Sequence, residues 1–332
     1  MVRISSILGK LSILAELVKL VSWSPMRYFV KKEDRFWVNL LDRFMAQIFF
    51  LSAAVALLSL FLITIYIFYN GSQLFKTVPL TNFLFGSNWE PVTQKLFGIF
   101  PMILTSFYVT FGAIFVSAPL GIFCAIFLAE IAPVKAQEVI RPAVQLLAGI
   151  PSVIYGLFGL SFVVPLIQNF AEVAGLSILA AIIILSVMIL PTIISISEDA
   201  IRAVPKELKE SSIALGTTKW QTIYGTVLPA SSSGLITAVV LSIGRAFGEA
   251  MAVKMVIGNT QTMPDFSANT LFGLLSFARS LTTNIIGDVE YAEPGPHLQA
   301  LFATGAILFV FIVATNAFSY LLLKKTYGVK KV

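Results

Sequence analysis

The stretch Gly244-Arg245-Ala246-Phe247-Gly248-Glu249-Ala250-Met251-Ala252-Val253 sets two opposite charges four residues apart inside an apolar run. On a helix, residues at that spacing share a face one turn apart. Arg245 and Glu249 are therefore expected as neighbours near the middle of a hydrophobic layer. A guanidinium is always charged, and its planar fork can donate two parallel hydrogen bonds to an oxyanion. Glu249 then reads as the resting partner that holds Arg245 when no anion is present. The competing reading is a pair that only pins helix packing, although Arg-before-Glu is the less favourable helical order. Lys254 lies nine residues beyond Arg245, on the opposite face of a continuous helix and about 13.5 Å further along. It is expected to snorkel to the membrane interface rather than to touch the anion. Gly244 and Gly248 make a G-x-x-x-G pair, which reads first as a place where a partner helix comes close.

Other chemistry is excluded by composition. His297 is the single histidine and Cys124 the single cysteine, which leaves no His-rich metal centre, thiolate cluster or intrachain disulfide. His297 reads as a surface residue rather than a ligand. No G-x-x-x-x-G-K-[ST] loop occurs, so any ATP this chain depends on is hydrolysed by another chain. Of 332 residues, 57% are hydrophobic and 12% charged, against roughly 25% charged in soluble domains. So little charge cannot cover a water-soluble surface of this size. The class is an all-α integral membrane protein, with membrane lipid as a partner and no sign of nucleic acid.

The charges must be positioned by spans of about 20 residues. Six apolar runs are present, at roughly 44–69, 102–128, 142–165, 175–196, 231–257 and 300–323, so Arg245 belongs to the fifth. Eighteen Lys and Arg lie before the first run, in the second and fourth connections and in the tail, against three (Lys76, Lys95, Arg279) in the other connections. That asymmetry puts both termini in the cytoplasm. The expected organisation is a cytoplasmic segment 1–43 and a six-span domain 44–325, with a cytoplasmic loop 197–230 and external loops 70–101 and 258–299. Ile4, Ile7, Leu8, Leu11, Leu14, Val18 and Val21 make the first 22 residues an amphipathic helix, on the membrane surface or packed on the bundle. Glu16 and Lys19 interrupt its apolar run, which is unlike a cleavable signal. In the third run Gly149, Pro151 and Ser152, and in the fourth Pro191, free backbone groups at membrane depth; a kink is expected ahead of a broken helix lining a path.

The loop 197–230 is the most patterned connection. Pro205 can open a helix that runs from Lys206 to Leu215, and Gly216 suits a left-handed stop. Thr217 or Thr218 can cap a second helix with a stripe of Trp220, Ile223, Tyr224 and Val227, ended by Leu228-Pro229. The result is a two-helix knob at a glycine elbow. Glu210-Ser211-Ser212-x-Ala214-x-Gly216, followed later by Thr226-x-Leu228-Pro229, resembles the coupling loop of ABC-importer permeases. Their pattern is Glu-Ala-Ala-x-x-x-Gly with a later Ile-x-Leu-Pro. Here serines replace both alanines and Thr226 the isoleucine. The resemblance implies that Glu210, Ala214, Gly216, Leu228 and Pro229 belong to a docking element for an ATPase subunit.

Three further stretches narrow the family. Leu147-Ala148-Gly149-Ile150-Pro151-Ser152, Leu190-Pro191-Thr192-Ile193-Ile194-Ser195 and Gly244 to Val253 together resemble the permeases of phosphate ABC importers. Asn88-Trp89-Glu90-Pro91 in the first external loop makes the PstC-type subunit the better fit. The resemblance covers about residues 80–325. It implies a type I importer (MetI-like) fold, alternating-access import of inorganic phosphate, a homologous PstA-type permease partner, a PstB-type ATPase dimer using ATP and Mg, and an extracytoplasmic phosphate-binding protein. No cofactor of this chain's own is implied, and Arg245 with Glu249 would line the substrate path. Loop 258–299 would be the platform for the binding protein. Remaining alternatives are a permease for sulfate, molybdate or phosphonate, the sister A-type subunit, and a secondary anion transporter. An integral membrane enzyme would need a cluster of His, Asp or Glu near one interface, which the sequence does not offer.

Overall fold

A backbone surrounded by lipid must satisfy its N–H and C=O groups within its own segment, and the apolar runs of this chain do so as helices. The structure, a computed structural model, describes residues 35–171, 173–261, 263 and 273–327. The amphipathic segment 1–22 lies outside them. Two units are distinguished, residues 1–66 and 67–332. Helix α1 (Arg35–Leu74) begins in the first and ends in the second. The second unit continues with α2 (Leu80–Phe85), a hairpin of β1 (Trp89–Glu90) and β2 (Leu96–Phe97), and α3 (Phe100–Ile131). Then come α4 (Val134–Gly149), α5 (Ser152–Ala171), α6 (Ile178–Arg202), α7 (Lys206–Ala214) and α8 (Lys219–Gly248). Short α9 (Met251–Val256) and α10 (Leu281–Asp288) precede α11 (Pro296–Tyr327). Among the described residues six helices are long and apolar enough to cross a membrane: α1, α3, α5, α6, α8 and α11.

The core of the second unit is α6. Ile178, Ile184, Leu185, Met188, Ile189 and Ile193 are buried among α3, α5, α8 and α9. Since lipid is as apolar as these side chains, close packing and interhelical hydrogen bonds hold such helices together. Ser186 provides one, its hydroxyl donating to the Ala113 carbonyl of α3 at 3.2 Å and to its own helix at 2.6 Å. Pro191 lies inside an unbroken α6.

Two spans depart from the apolar pattern. The third run is split: Ile150 and Pro151 are extended, with ψ of 128° and 140°, so α4 ends at Gly149 and the span starts at Ser152. The expected kink is a complete break, because the residue before a proline is pushed out of the helical region. The fifth run is interrupted after Gly248, leaving α9 as a separate piece.

At the end of the bundle where α1 finishes and α11 starts, a second apolar cluster joins Leu74, Phe83, Trp89, Phe97 and Met102 to Leu281 and Leu301. The hairpin register is Trp89 opposite Phe97, a two-residue strand pair among mostly helical described residues. Asp288 ties this lobe together. Its Oδ2 accepts from the Trp89 indole N–H at 2.8 Å, and its Oδ1 pairs with the buried Arg279. Its carboxyl is pushed up by burial. The hydrogen bonds from Trp89, Arg279 and His297 and the Arg279 charge outweigh that, so the net position is below the usual carboxylate range. His297, expected at the surface, is largely buried here, 3.4 Å from Asp288 Oδ2 and edge-on to Trp89. An apolar ring face with one polar edge fits that position, which a one-dimensional reading of a polar loop does not reveal.

Candidate functional site

Arg245 occupies the last turn of α8, and Glu249 is the residue at which that helix stops, with φ −73° and ψ 128°. The stop separates them. Arg245 Nη1 donates to Thr192 Oγ1 of α6 at 2.7 Å, and the Glu249 carboxylate accepts from the backbone N–H of Ala252 at 3.1 Å. No Arg245–Glu249 ion pair occurs among the described residues. A continuous helix would set the two charges on one face; the stop at Glu249 turns them apart. Glu249 instead satisfies one of the orphan donors at the start of α9. Its own carbonyl is satisfied by the Thr282 hydroxyl at 2.9 Å. Beyond the same break, Lys254 donates to the Ile286 carbonyl of α10 at 3.3 Å, so its ammonium ends at the connection 258–299.

Beyond the break in α8, α9 packs against α5. Gly156 and Gly159 of α5 lie against α9, and a methyl group on either would come within 2.6–2.7 Å of Met255 or Val256. Glycine is thus required there by space. The Tyr155 hydroxyl spans the α4–α5 break and donates to the Leu147 carbonyl at 2.7 Å. By contrast, Gly149 and Gly248 open onto empty space, and Gly244 has only Asn316 of α11 nearby, at an ordinary 3.8 Å. No close helix approach occurs at the G-x-x-x-G pair within the described residues. Pro151 is exposed and Ser152 half-buried beside the break. Arg245 is itself exposed on this chain. A charge within a span is expensive against lipid, so this face belongs to a wet path or to a protein partner.

The knob forms as its residues dictate. Helix α7 runs from Lys206 to Ala214 with Pro205 just before it, and Gly216 adopts φ +85°, a conformation costly for any residue with a Cβ. Thr218 caps the next helix in a reciprocal capping box with Gln221. Leu228-Pro229 does not end that helix. A π-helical turn at Ile223–Val227 carries it straight into the fifth span, the wider turn accommodating the proline ring and its missing N–H. The expected single stripe is therefore divided. Ile223 and Val227 are buried against Ile126, Ile201 and Val204, with Leu228 beside them, whereas Trp220 is 61% and Tyr224 74% exposed. Glu210, Ala214, Leu215, Gly216 and Pro229 are also exposed. Apolar side chains massed on an otherwise polar knob mark an interaction surface.

Several residues here were not singled out by sequence. Ser212 is bonded to the hydroxyls of Thr217 at 2.9 Å, Thr222 at 3.3 Å and Thr226 at 3.3 Å. Ser212 and Thr226, two of the three departures from the permease pattern, thus contact each other. Lys209 of α7 pairs with Glu130 at the end of α3, tying the knob to a second span. Glu198 of α6 binds both Arg141 of α4 and Arg202. A polar spacing along α6 was the signal available for this cluster.

The family profile of the binding-protein-dependent transport system inner membrane component matches residues 117–326. The chain is 45% identical over 253 residues to the probable ABC transporter permease protein YqgH of Bacillus subtilis (strain 168), which covers 75% of this chain and 80% of that protein. It is 35% identical over 249 residues to the phosphate transport system permease protein PstC of Mesorhizobium japonicum (strain LMG 29417 / CECT 9101 / MAFF 303099), covering 69% and 74%. A bacterial alginate ABC transporter, solved with its alginate-bound periplasmic protein, has a chain of the same fold at a TM-score of 0.59 and 17% identity, covering 90% of this chain and 100% of that one. With its six spans and exposed knob, this chain belongs to the family of binding-protein-dependent transport system inner membrane components, the permease subunits of ABC transporters.

Proposed function

We propose that this permease carries inorganic phosphate inward in an ATP-driven importer, with Arg245 as its principal contact for the anion. The observation that carries this reading is the state of Arg245, a guanidinium held by one neutral hydroxyl at the exposed end of a broken membrane helix. An oxyanion arriving there exchanges that single bond to a neutral hydroxyl for two parallel bonds between ionised groups, which add Coulombic attraction and geometric fit. The relatives named as phosphate permeases support the choice of anion. Glu249 acts by capping α9, which holds the break open beside Arg245. In the same reading the exposed Trp220, Tyr224, Leu215 and Glu210 dock a separate ATPase, which binds the ATP and Mg. A homologous PstA-type permease covers the Arg245 face, and a phosphate-binding protein meets the Asp288 lobe. Both termini and the knob are then cytoplasmic.

The test is ATP-driven uptake of radiolabelled phosphate by vesicles holding the complete importer, with sulfate and molybdate as competitors. Arg245→Ala is expected to abolish uptake with normal assembly. Arg245→Lys is expected to retain little, because an ammonium cannot present two coplanar donors. Uptake in both variants at the wild-type rate would place anion recognition elsewhere. Competition by sulfate or molybdate equal to that of phosphate would overturn the substrate.

A further inference from the structure

Thr192, which holds Arg245, begins a polar stripe. Thr192, Ser195, Asp199 and Arg202 follow one another along α6 at steps of three, four and three residues, an arc of about 80° at 3.6 residues per turn. The opposite face of the same helix, with Ile189, Ile193 and Ile201, is buried. Asp199 and Arg202 are exposed and Ser195 half-buried.

The stripe leads into a cavity of about 190 Å³ between α4 and α6, lined by Arg141, Gln145, Ser195, Glu198, Asp199 and Arg202. At roughly 10–15 Å³ of such space per water, it has room for a dozen waters. Glu198, only 7% exposed, spends a single oxygen on both arginines. Its Oε1 takes Arg141 Nε at 2.7 Å and Arg202 Nε at 2.9 Å. Arg202 Nη2 is used by the Leu128 carbonyl and Gln137. Arg141 Nη2 sits 2.6 Å from the same Oε1, yet it is buried without an aligned hydrogen-bond partner among the described residues. The cavity thus carries two part-exposed guanidiniums against one buried carboxylate, and Arg141 Nη2 is not aligned for a hydrogen bond to it. Its mouth carries a second carboxylate, Asp199. Such a wall suits an anion that offers acceptors to arginine and a proton to a carboxylate. A protonated phosphate does both, whereas sulfate is fully ionised and has no proton to give.

We propose that this cavity is a second oxyanion station, at which Arg141 and Arg202 receive phosphate from Arg245 and Asp199 accepts a hydrogen bond from the phosphate's own proton. It rests on the reading of this chain as a phosphate permease. From Thr192 to Ser195 and Glu198 the rise along α6 is about 4.5–9 Å, one short step for the anion. The knob-side position, near the Lys209–Glu130 pair, makes this the exit station. The Asp199 carboxylate adds discrimination against sulfate at the end of the path.

The solubilised importer, complete with partner permease and ATPase but without binding protein, is dialysed against radiolabelled inorganic phosphate, with sulfate as competitor. Phosphate binding is expected to survive Arg245→Ala. Adding Arg141→Gln to that variant should weaken it about tenfold or more, as for a lost charge-assisted hydrogen bond. Asp199→Asn touches an exposed residue outside the ion cluster. It should let sulfate compete, narrowing the preference for phosphate by about tenfold. Phosphate held at the ATPase is common to every variant and cancels. Equal binding with and without Arg141→Gln, or an unchanged preference in Asp199→Asn, overturns the station. If wild-type vesicles take up phosphate but both variants bind as their parents do, the station alone falls. If the wild type takes up no phosphate, the substrate assignment falls and the station with it.

Discussion

Arg245 and Glu249 stand four residues apart, yet each is bonded to something other than its neighbour: Thr192 for one, the Ala252 N–H for the other. This changes what substitutions at Glu249 should do. Glutamine keeps an oxygen that can accept from Ala252, so Glu249→Gln is expected to transport phosphate at close to the wild-type rate. Leucine keeps the bulk and loses the acceptor. Glu249→Leu should therefore lose about 1 kcal/mol of local stability, the usual loss for a missing cap, and most of its uptake. Initial rates in vesicles separate the two; a severe defect in Glu249→Gln would restore its charge to the mechanism. Thr192→Val tests the other bond. It removes the hydroxyl that holds Arg245 among the described residues and, because the anion must displace that bond, should lower the phosphate concentration needed for half-maximal uptake. An unchanged value would leave Thr192 without a role.

The knob is an element whose geometry hangs on one glycine and one group of hydroxyls. Gly216→Val forces a branched side chain into φ +85°, against a left-handed penalty of roughly 1–2 kcal/mol. The knob should misalign and the ATPase fail to co-purify, while the permease remains in the membrane. Ser212 and Thr226 replace an alanine and an isoleucine of the permease pattern and lie 3.3 Å apart. Ser212→Ala should leave the Thr226 hydroxyl unpartnered, and Thr226→Ile should cost Ser212 one of its hydroxyl contacts, at about 0.5–1.5 kcal/mol per lost bond. The double change restores an apolar pair and should cost less than the two summed. Thermal inactivation of coupled ATP hydrolysis in the four proteins reads that non-additivity. Strict additivity would mean that the contact is incidental.

At the scale of the whole molecule, the charge asymmetry predicts sidedness. In a Cys124→Ala background, Ser87→Cys and Glu293→Cys should react with an impermeant thiol reagent outside intact cells, and Thr217→Cys only after the membrane is opened. Reaction of Thr217→Cys from outside would invert the topology. The Asp288 lobe predicts a pH response. Its carboxyl sits below the ordinary range in the folded state. Its contribution is therefore fully present above the unfolded value of about 3.9 and is lost as pH falls through the lower folded value. Thermal midpoints of the wild type should drop below about pH 4. In Asp288→Asn, buried Arg279 loses its counter-charge, which costs roughly 3–5 kcal/mol, and that acid-dependent component should disappear. The same acid profile in both proteins would assign the response to other carboxylates.

Membrane class, the six spans, the glycine stop at Gly216 and the one charged fork of the fifth span were all legible in the residue order. Each depends on local quantities: apolar run length, backbone freedom, the cost of a lone charge in lipid. Tertiary structure decided the rest. Whether an apolar run stays one helix depends on who satisfies the backbone groups freed by a break. At Glu249 the Thr282 hydroxyl does so, from 33 residues away, and a tyrosine hydroxyl bridges the break at Ile150-Pro151. The partner of Arg245 is likewise 53 residues distant, and Arg141 meets Glu198 across 57. Periodicity carries no information about such pairs, so the sequence placed the charge and only the packed helices determined what holds it.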